Sequence, residues 1–289
     1  MVQKHIRILR EFCKKENVKI KEFRLKNNKN SNKIINFKSI QNKKTLVFIH
    51  GFKCDKYFPF VEIFLNLLKE GYSVILFDLP EHGENKNVFS IKESANLLSK
   101  VISFSKNKLG VQKKDLILVG QSIGGFLALL ESSKNSVAGI ITISAPYKIN
   151  PNFFFFLEPF SLMGPDSLRQ LNYYSFKYTF PFRFFRKDIY SILIKSKNRT
   201  KEMEKEVISY NLLNRIKKSN TPLLQIHGKL DLFVPFSQAK EINENYGGAD
   251  KKKCFPFFSN HLNILFKRRN MDKILDWLRE RVPECNKIS

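Results

Sequence analysis

The sequence predicts an α/β protein built on a mostly parallel, eight-stranded sheet with helices on both faces. Three observations carry this. Short β-rich runs alternate with helical patterns along most of the chain, as they do when helices make the crossovers between parallel strands. The runs Leu46 to Ile49 and Leu116 to Val119 are continuously apolar, as strands buried on both faces must be. The composition, 43% apolar and 27% charged over 289 residues, supports a sizeable core and excludes disorder and collagen-like repetition.

The chain opens on a basic amphipathic stretch, Met1 to Lys15, with Val2, Ile6, Leu9 and Cys13 on one face and Arg7, Arg10, Lys14 and Lys15 among them. It lacks the apolar core, roughly 7 to 15 residues, of a signal peptide. It reads either as a surface helix packed by its apolar stripe or as a helix lying on an anionic membrane, where each basic residue contributes about 1 kcal/mol. Strands are expected at Lys19–Leu25, Lys33–Ile40, Thr45–Ile49, Tyr72–Phe77, Asp115–Val119, Ala138–Ile143, Pro222–His227 and Lys252–Phe258. Between the third and fourth, Phe60, Val61, Phe64, Leu67 and Leu68 form one face of a helix that Gly71 ends. In the last helix Met271, Ile274, Leu275, Leu278 and Val282 make the stripe, with Asp272 placed favourably near its start.

Residues 147–220 break the alternation. Tyr147 to Tyr190 hold 15 of the chain's 38 aromatics, and Pro151, Pro159, Pro165 and Pro181 divide the segment into short pieces, while Thr200 to Ile216 reads as a returning helix. A structureless loop of this length inside a compact domain is improbable, so the expectation is a small helical cap inserted after strand six. The domains are then a core of residues 1–146 and 221–289, and a cap of residues 147–220.

Charge and cysteines narrow the class. Lys and Arg number 51 against 26 Asp and Glu, a net of +25. Residues 1–44 hold 14 basic and 3 acidic side chains, and residues 147–220 hold 14 and 6. No nucleic-acid motif accompanies the charge and its runs are short, so we read it as solvated faces, no nucleic acid being expected as a partner. Cys13, Cys54, Cys254 and Cys285 stand far apart without a C-x-x-C pair, which reads as ordinary thiols in a reducing compartment, with no metal and no disulfide framework. No stretch reaches the roughly 18 apolar residues of a membrane span. A soluble cytoplasmic protein is expected, peripheral to the membrane if the amphipathic start binds one.

The strongest local signal is Leu116-Ile117-Leu118-Val119-Gly120-Gln121-Ser122-Ile123-Gly124-Gly125, followed by an apolar helical run. This is strand, G-x-S-x-G, helix. A sharp turn holds Ser122 in a strained conformation with its hydroxyl exposed, and Gly120 and Gly124 let the neighbouring backbones approach. The Ile123 amide opens the helix, where N–H groups lack partners and negative charge is favoured, so it is an oxyanion donor. The same residues in isolation also make a Gly-Ser-Gly turn without chemistry. A second donor is assigned to the Phe52 amide, since Leu46 to Ile49 ends in His50-Gly51-Phe52 and Gly51 frees the backbone to aim it; losing such a donor costs on the order of a hundredfold in rate. His50 reads as a structural residue at the strand end.

A serine hydroxyl needs a base and a carboxylate to orient that base. Of five histidines, His5 lies in the basic start, His50 and His227 sit in His-Gly turns at strand ends, and His82 follows strand four. His261, just past the last strand, remains as the base. Asp231, after the penultimate strand, is the carboxylate, although a strand-end Asp also serves as a helix cap. The order Ser122, Asp231, His261 is that of a triad on this architecture.

On these residues the chain resembles the α/β-hydrolase superfamily, and more narrowly the capped serine hydrolases that include monoacylglycerol lipases, lysophospholipases and carboxylesterases. The resemblance covers roughly residues 19–282: His50-Gly51-Phe52 matches the oxyanion motif, Gly120 to Gly124 the nucleophile elbow, His227 to Asp231 the acid motif, and His261 the terminal histidine. Two departures bear on subfamily: Gln121 stands where the elbow often has His, and Pro80-Glu81-His82-Gly83-Glu84-Asn85 where the family usually reads Pro-Gly-His-Gly-x-Ser. The resemblance implies that residues 147–220 form the acyl pocket.

A nucleophilic Ser122 implies acyl transfer to water with no metal or organic cofactor, on a small-molecule ester substrate, lipid-like if the aromatic cap lines a pocket rather than making its own small core. The same triad serves thioesterases, acyltransferases and aminopeptidases, the last needing a cap carboxylate such as Glu158 or Asp166, which a basic cap suits poorly. A non-catalytic ligand-binding scaffold is the reading from another class, though it has no physical need for all of Ser122, Asp231 and His261.

Overall fold

A computed structural model describes residues 11–27, 30–52, 54–57, 61–134, 136–149, 201–261 and 263–281. The readings placed on residues 1–10, 60, 150–200 and 282–289 lie outside these, among them most of the cap, Phe60, Glu158, Asp166, Val282 and Cys285.

All eight expected strands are present: β1 Lys19–Asn27, β2 Asn30–Lys38, β3 Thr45–Ile49, β4 Ser73–Phe77, β5 Leu116–Gln121, β6 Gly139–Ile143, β7 Leu223–Ile226 and β8 Lys251–Cys254. They form one sheet in the order β1-β2-β4-β3-β5-β6-β7-β8. β1 and β2 form an antiparallel hairpin, β2 pairs antiparallel with β4, and every other pairing is parallel. The helices named below are α1 Val61–Lys69, α2 Ile91–Asn107, α3 Ile123–Ser132, α4 Leu212–Ile216, α5 Phe236–Asn245 and α6 Arg268–Arg279.

The apolar runs are central strands for the reason the sequence suggests. Along β3, Val47 and Ile49 enter the core on one face of the sheet while Leu46 and Phe48 enter the core on the other, and β5 divides likewise into Leu116 and Leu118 against Ile117 and Val119. Side chains alternate along a strand, so a strand covered on both faces has no polar position to spare. Helices α2 and α3 cover the first face, and α1 and α6 the second. Gly71, at φ +87°, ends α1 as expected, its N–H donating to Leu68 O and that of Tyr72 to Leu67 O. Ser90 caps α2, its hydroxyl accepting from Glu93 N–H at 3.0 Å.

Three expectations change in detail. The eighth strand stops at Cys254, because the chain turns at Pro256, whose carbonyl accepts from Lys229 N–H. The returning helix is two pieces, residues 201–209 and α4, since Asn211 between them takes the left-handed conformation at φ 46°, which Asn tolerates best among non-glycine residues. The last helix starts at Arg268, so Asp272 falls beyond its first turn and out of reach of the favourable end of the dipole. At the opening stretch residues 11–15 are helical and Cys13 is buried against the α1 and α6 face, which supports packing at that turn. Cys13, Cys54 and Cys254 are free thiols. Among the described residues no helix is long and apolar enough to cross a membrane.

Candidate active site

Parallel strands end at one edge of the sheet, and there the end of β5 and the segments that follow β3, β5, β7 and β8 carry the expected site residues. Ser122 joins β5 to α3 with φ 53° and ψ −121°, a conformation that costs a non-glycine residue about 1–3 kcal/mol and persists only where its surroundings enforce it. Here they do. Ser122 N–H donates to Ile143 O at 2.9 Å, and Ser122 O accepts from Phe126 N–H. A Cβ on Gly120 would lie 2.2 Å from Gly124 O, and one on Gly124 would lie 2.0 Å from Ile49 O, so both glycines are required for α3 to start this close to β3 and β5. Ile123 is the first residue of α3, and its N–H has no acceptor within the helix.

The loop after β3 lies against this elbow: a Cβ on Gly51 would stand 3.3 Å from Ser122 Cβ and 2.2 Å from Gln121 Oε1. His50 is 1% exposed. Its Nε2 accepts from Leu79 N–H at 3.0 Å, so in the neutral ring Nδ1 carries the proton and donates to Gly51 O at 2.8 Å. Burial, together with neighbouring His82, pushes His50 down to about 4 against the opposing Gly51 hydrogen bond. The trans peptide directs the Phe52 N–H opposite to the Gly51 carbonyl. His50 therefore sets the direction of the Phe52 amide, which gives the expected structural role a specific content.

Asp231 and His261 are brought together. His261 Nδ1 donates to Asp231 Oδ2 at 2.9 Å, with Oδ1 at 3.2 Å, leaving Nε2 as the acceptor nitrogen of the neutral ring. Oδ1 also accepts from the N–H groups of Phe233 and Val234. Burial opposes the charge on Asp231, but His261, His227 and the Val234 N–H outweigh it and hold the carboxyl below its ordinary range. His261 is fixed from both sides. Asn260 N–H donates to Asn263 Oδ1 while Asn263 N–H donates to Asn260 Oδ1, both at 2.9 Å, and the Phe233 ring lies 5.3 Å from the His261 ring.

His227 and His82 take structural places. His227 is fully buried beside Asp231, with Nε2 donating to Val234 O at 2.8 Å. His82 packs between the rings of His50, Phe52 and Phe89. Among the described residues no group of three or more His, Cys, Asp or Glu side chains is arranged to hold a metal ion.

Two features escape the sequence reading. A Cβ on Gly228 would lie 2.1 Å from Ser259 O, so that glycine lets the acid loop meet the histidine loop, where Leu230 N–H donates to Ser259 O. The other is a buried ion pair, Lys56 Nζ to Asp78 Oδ2 at 2.6 Å, both side chains under 5% exposed; its only sequence signal is an Asp directly after the apolar run Val74 to Phe77 of β4.

The sequence profile of the alpha/beta hydrolase family matches residues 46–205, more than half of the chain. Among solved structures the chain is similar to an esterase of Pyrococcus furiosus, at 18% identity and TM-score 0.67 over 93% of this chain and 94% of that one. It is also similar to a monoacylglycerol lipase of Paleococcus ferrophilus, at 16% identity and TM-score 0.64 over 90% and 99%. The alpha/beta hydrolase GrgF of a Penicillium species gives 17% identity and TM-score 0.67 over 91% and 99%. A search of curated protein sequences gives no significant match. The profile match, with the eight-stranded sheet and its elbow after β5, establishes that the chain belongs to the alpha/beta hydrolase family.

Proposed function

We propose that the protein is a serine hydrolase that cleaves carboxylic esters of medium or long acyl chain, with Ser122 as nucleophile, His261 as general base and Asp231 as its orienting carboxylate. The observation that carries the reading is the buried His261–Asp231 hydrogen bond at the same sheet edge as the strained Ser122. With Nδ1 donating to Asp231, Nε2 is free to take the Ser122 Oγ proton as Oγ adds to the ester carbonyl carbon. The carbonyl oxygen becomes an oxyanion, for which the Phe52 and Ile123 amides are the donors. His261 then gives its proton to the departing alkoxide, and the acyl–Ser122 ester is hydrolysed by a water that His261 deprotonates. Ionised Asp231 stabilises the imidazolium in both halves.

The names of the Pyrococcus esterase and the Paleococcus monoacylglycerol lipase favour an ester over other acyl substrates, and the aromatic density from Tyr147 to Tyr190 favours an apolar acyl group. Labelling with a fluorophosphonate probe tests the nucleophile: reaction of the wild type, lost in Ser122→Ala and His261→Ala, is expected, and an inert folded wild type overturns the reading. Turnover of p-nitrophenyl esters is expected to rise beyond acetate, and a steady fall with chain length overturns the acyl assignment.

A further inference from the structure

The loop that carries the Phe52 amide is fastened at both ends to the turn after β4. At one end the His50 ring accepts from Leu79 N–H. At the other, Lys56 donates twice to Asp78, by its N–H to Oδ1 at 2.8 Å and by Nζ to Oδ2 at 2.6 Å, and Nζ also reaches Glu84 Oε2 at 2.9 Å. The turn is shaped to present this carboxylate. Glu84 N–H donates to Asp78 Oδ2, and the Asn85 side-chain amide holds Asp78 O, both at 3.0 Å. Gly83, at φ +52°, wraps so closely that a Cβ there would lie 2.4 Å from Asp78 Cγ.

A buried ion pair is a poor source of net stability, because desolvation offsets the attraction and an apolar pair of similar volume often does as well. What it supplies is a fixed arrangement. Burial disfavours the ammonium, but Asp78 and Glu84 outweigh it and raise the Lys56 pKa, so Lys56 keeps its charge throughout the working range. Phe52 lies between the two fastenings, with Gly51 against Ser122.

Resting on the ester-hydrolase reading above, we propose that Lys56 is a positioning residue for the oxyanion site: through Asp78 it anchors the chain that follows Phe52, so that the Phe52 N–H is in place before charge develops on the substrate. Preorganised donors act on the transition state and little on the ground state. The loss should therefore fall on kcat and spare KM. It should weaken a trifluoromethyl ketone in parallel, since that inhibitor places a full oxyanion in the same site when Ser122 Oγ adds to its carbonyl carbon and His261 takes the proton.

The experiment compares wild type, Lys56→Met, Lys56→Arg and the double variant Lys56→Met with Asp78→Asn, measuring ester kcat and KM, trifluoromethyl ketone Ki and melting temperature. Lys56→Met is expected to lower kcat by about tenfold or more with KM within about twofold, Ki weakening by the same factor as kcat/KM. Lys56→Arg should recover part of both. Should Lys56→Met fail to fold with Asp78 left unpaired, the double variant decides, since it removes both charges: melting near the wild type with kcat still depressed supports positioning, whereas kcat returning with stability overturns it. Unchanged kcat in either folded variant also overturns it. A wild type inert to both the ketone and fluorophosphonate overturns instead the hydrolase reading on which the proposal rests.

Discussion

Acidifying the protein from about pH 7 to about pH 4.5 is expected to remove about 2–3 kcal/mol of stability through His50 alone. The buried ring accepts from Leu79 N–H through Nε2 and donates to Gly51 O through Nδ1, so a second proton has no acceptor and would expel the Leu79 bond. Burial, with His82 nearby, lowers its pKa in the folded protein to about 4, against about 6.5 in the unfolded chain. Between those values the unfolded state binds a proton that the folded state refuses. Stability is then present above the unfolded value and lost as pH falls toward the folded one, at about 1.4 kcal/mol per unit. The assay is urea denaturation of wild type and His50→Gln across this range. Glutamine does not titrate, while His227, also lowered by burial and not among the groups that act on His50, contributes equally to both proteins and cancels in the difference. The gap between wild type and variant should narrow by about 2–3 kcal/mol at the acidic end. A gap that does not move with pH would refute the argument.

Asp231→Asn is expected to leave the fold intact while lowering kcat on the order of a thousandfold or more, since an amide facing His261 Nδ1 stabilises the wrong tautomer; ester kinetics with circular dichroism check it. The depressed pKa of Asp231 gives stability that is present above about pH 4 and lost as pH falls through the folded value, and denaturant melts should show that loss in wild type but not in the variant. Gly228→Ala puts a Cβ 2.1 Å from Ser259 O, backbone against backbone, so the acid and histidine loops must part: a loss of about 1–3 kcal/mol by denaturant titration, with reduced kcat, is expected, and an unchanged kcat would count against the close approach.

The sheet was legible because its central strands are buried on both faces and their apolar runs are uninterrupted: β3 falls at Thr45–Ile49 as read, and β5 begins one residue past its expected start. Ser122 and Asp231 were legible as candidates because they follow the buried strands β5 and β7, and His261, past the partly exposed edge strand β8, because the other histidines were set aside one by one. The positions of helix ends were less so. Asn211 breaks the returning helix by a backbone choice that its neighbours' apolar pattern does not register. The Lys56–Asp78 pair was illegible for a different reason: its partners are separated by 21 intervening residues and meet only once α1 and β4 are in place, and a lysine in a polar loop reads as solvated. Gly228 sat inside a recognised motif, but its purpose depends on Ser259 arriving on the loop after β8.

Besides three asparagines, the described non-glycine residues at positive φ are Glu81, Ser122 and Ser144, and they follow β4, β5 and β6 at the edge where the candidate site lies. Backbone at positive φ is where replacement by glycine relieves strain, so strained geometry among the described residues gathers at the edge where the candidate site lies. This sets a direction for laboratory evolution. A library screened for heat resistance alone would gather glycine at these three positions, and enriching it at Ser122 would discard the proposed nucleophile. Heat tolerance in this scaffold must come from other parts of the fold, and a selection that rewards turnover alongside melting temperature is needed to keep it there.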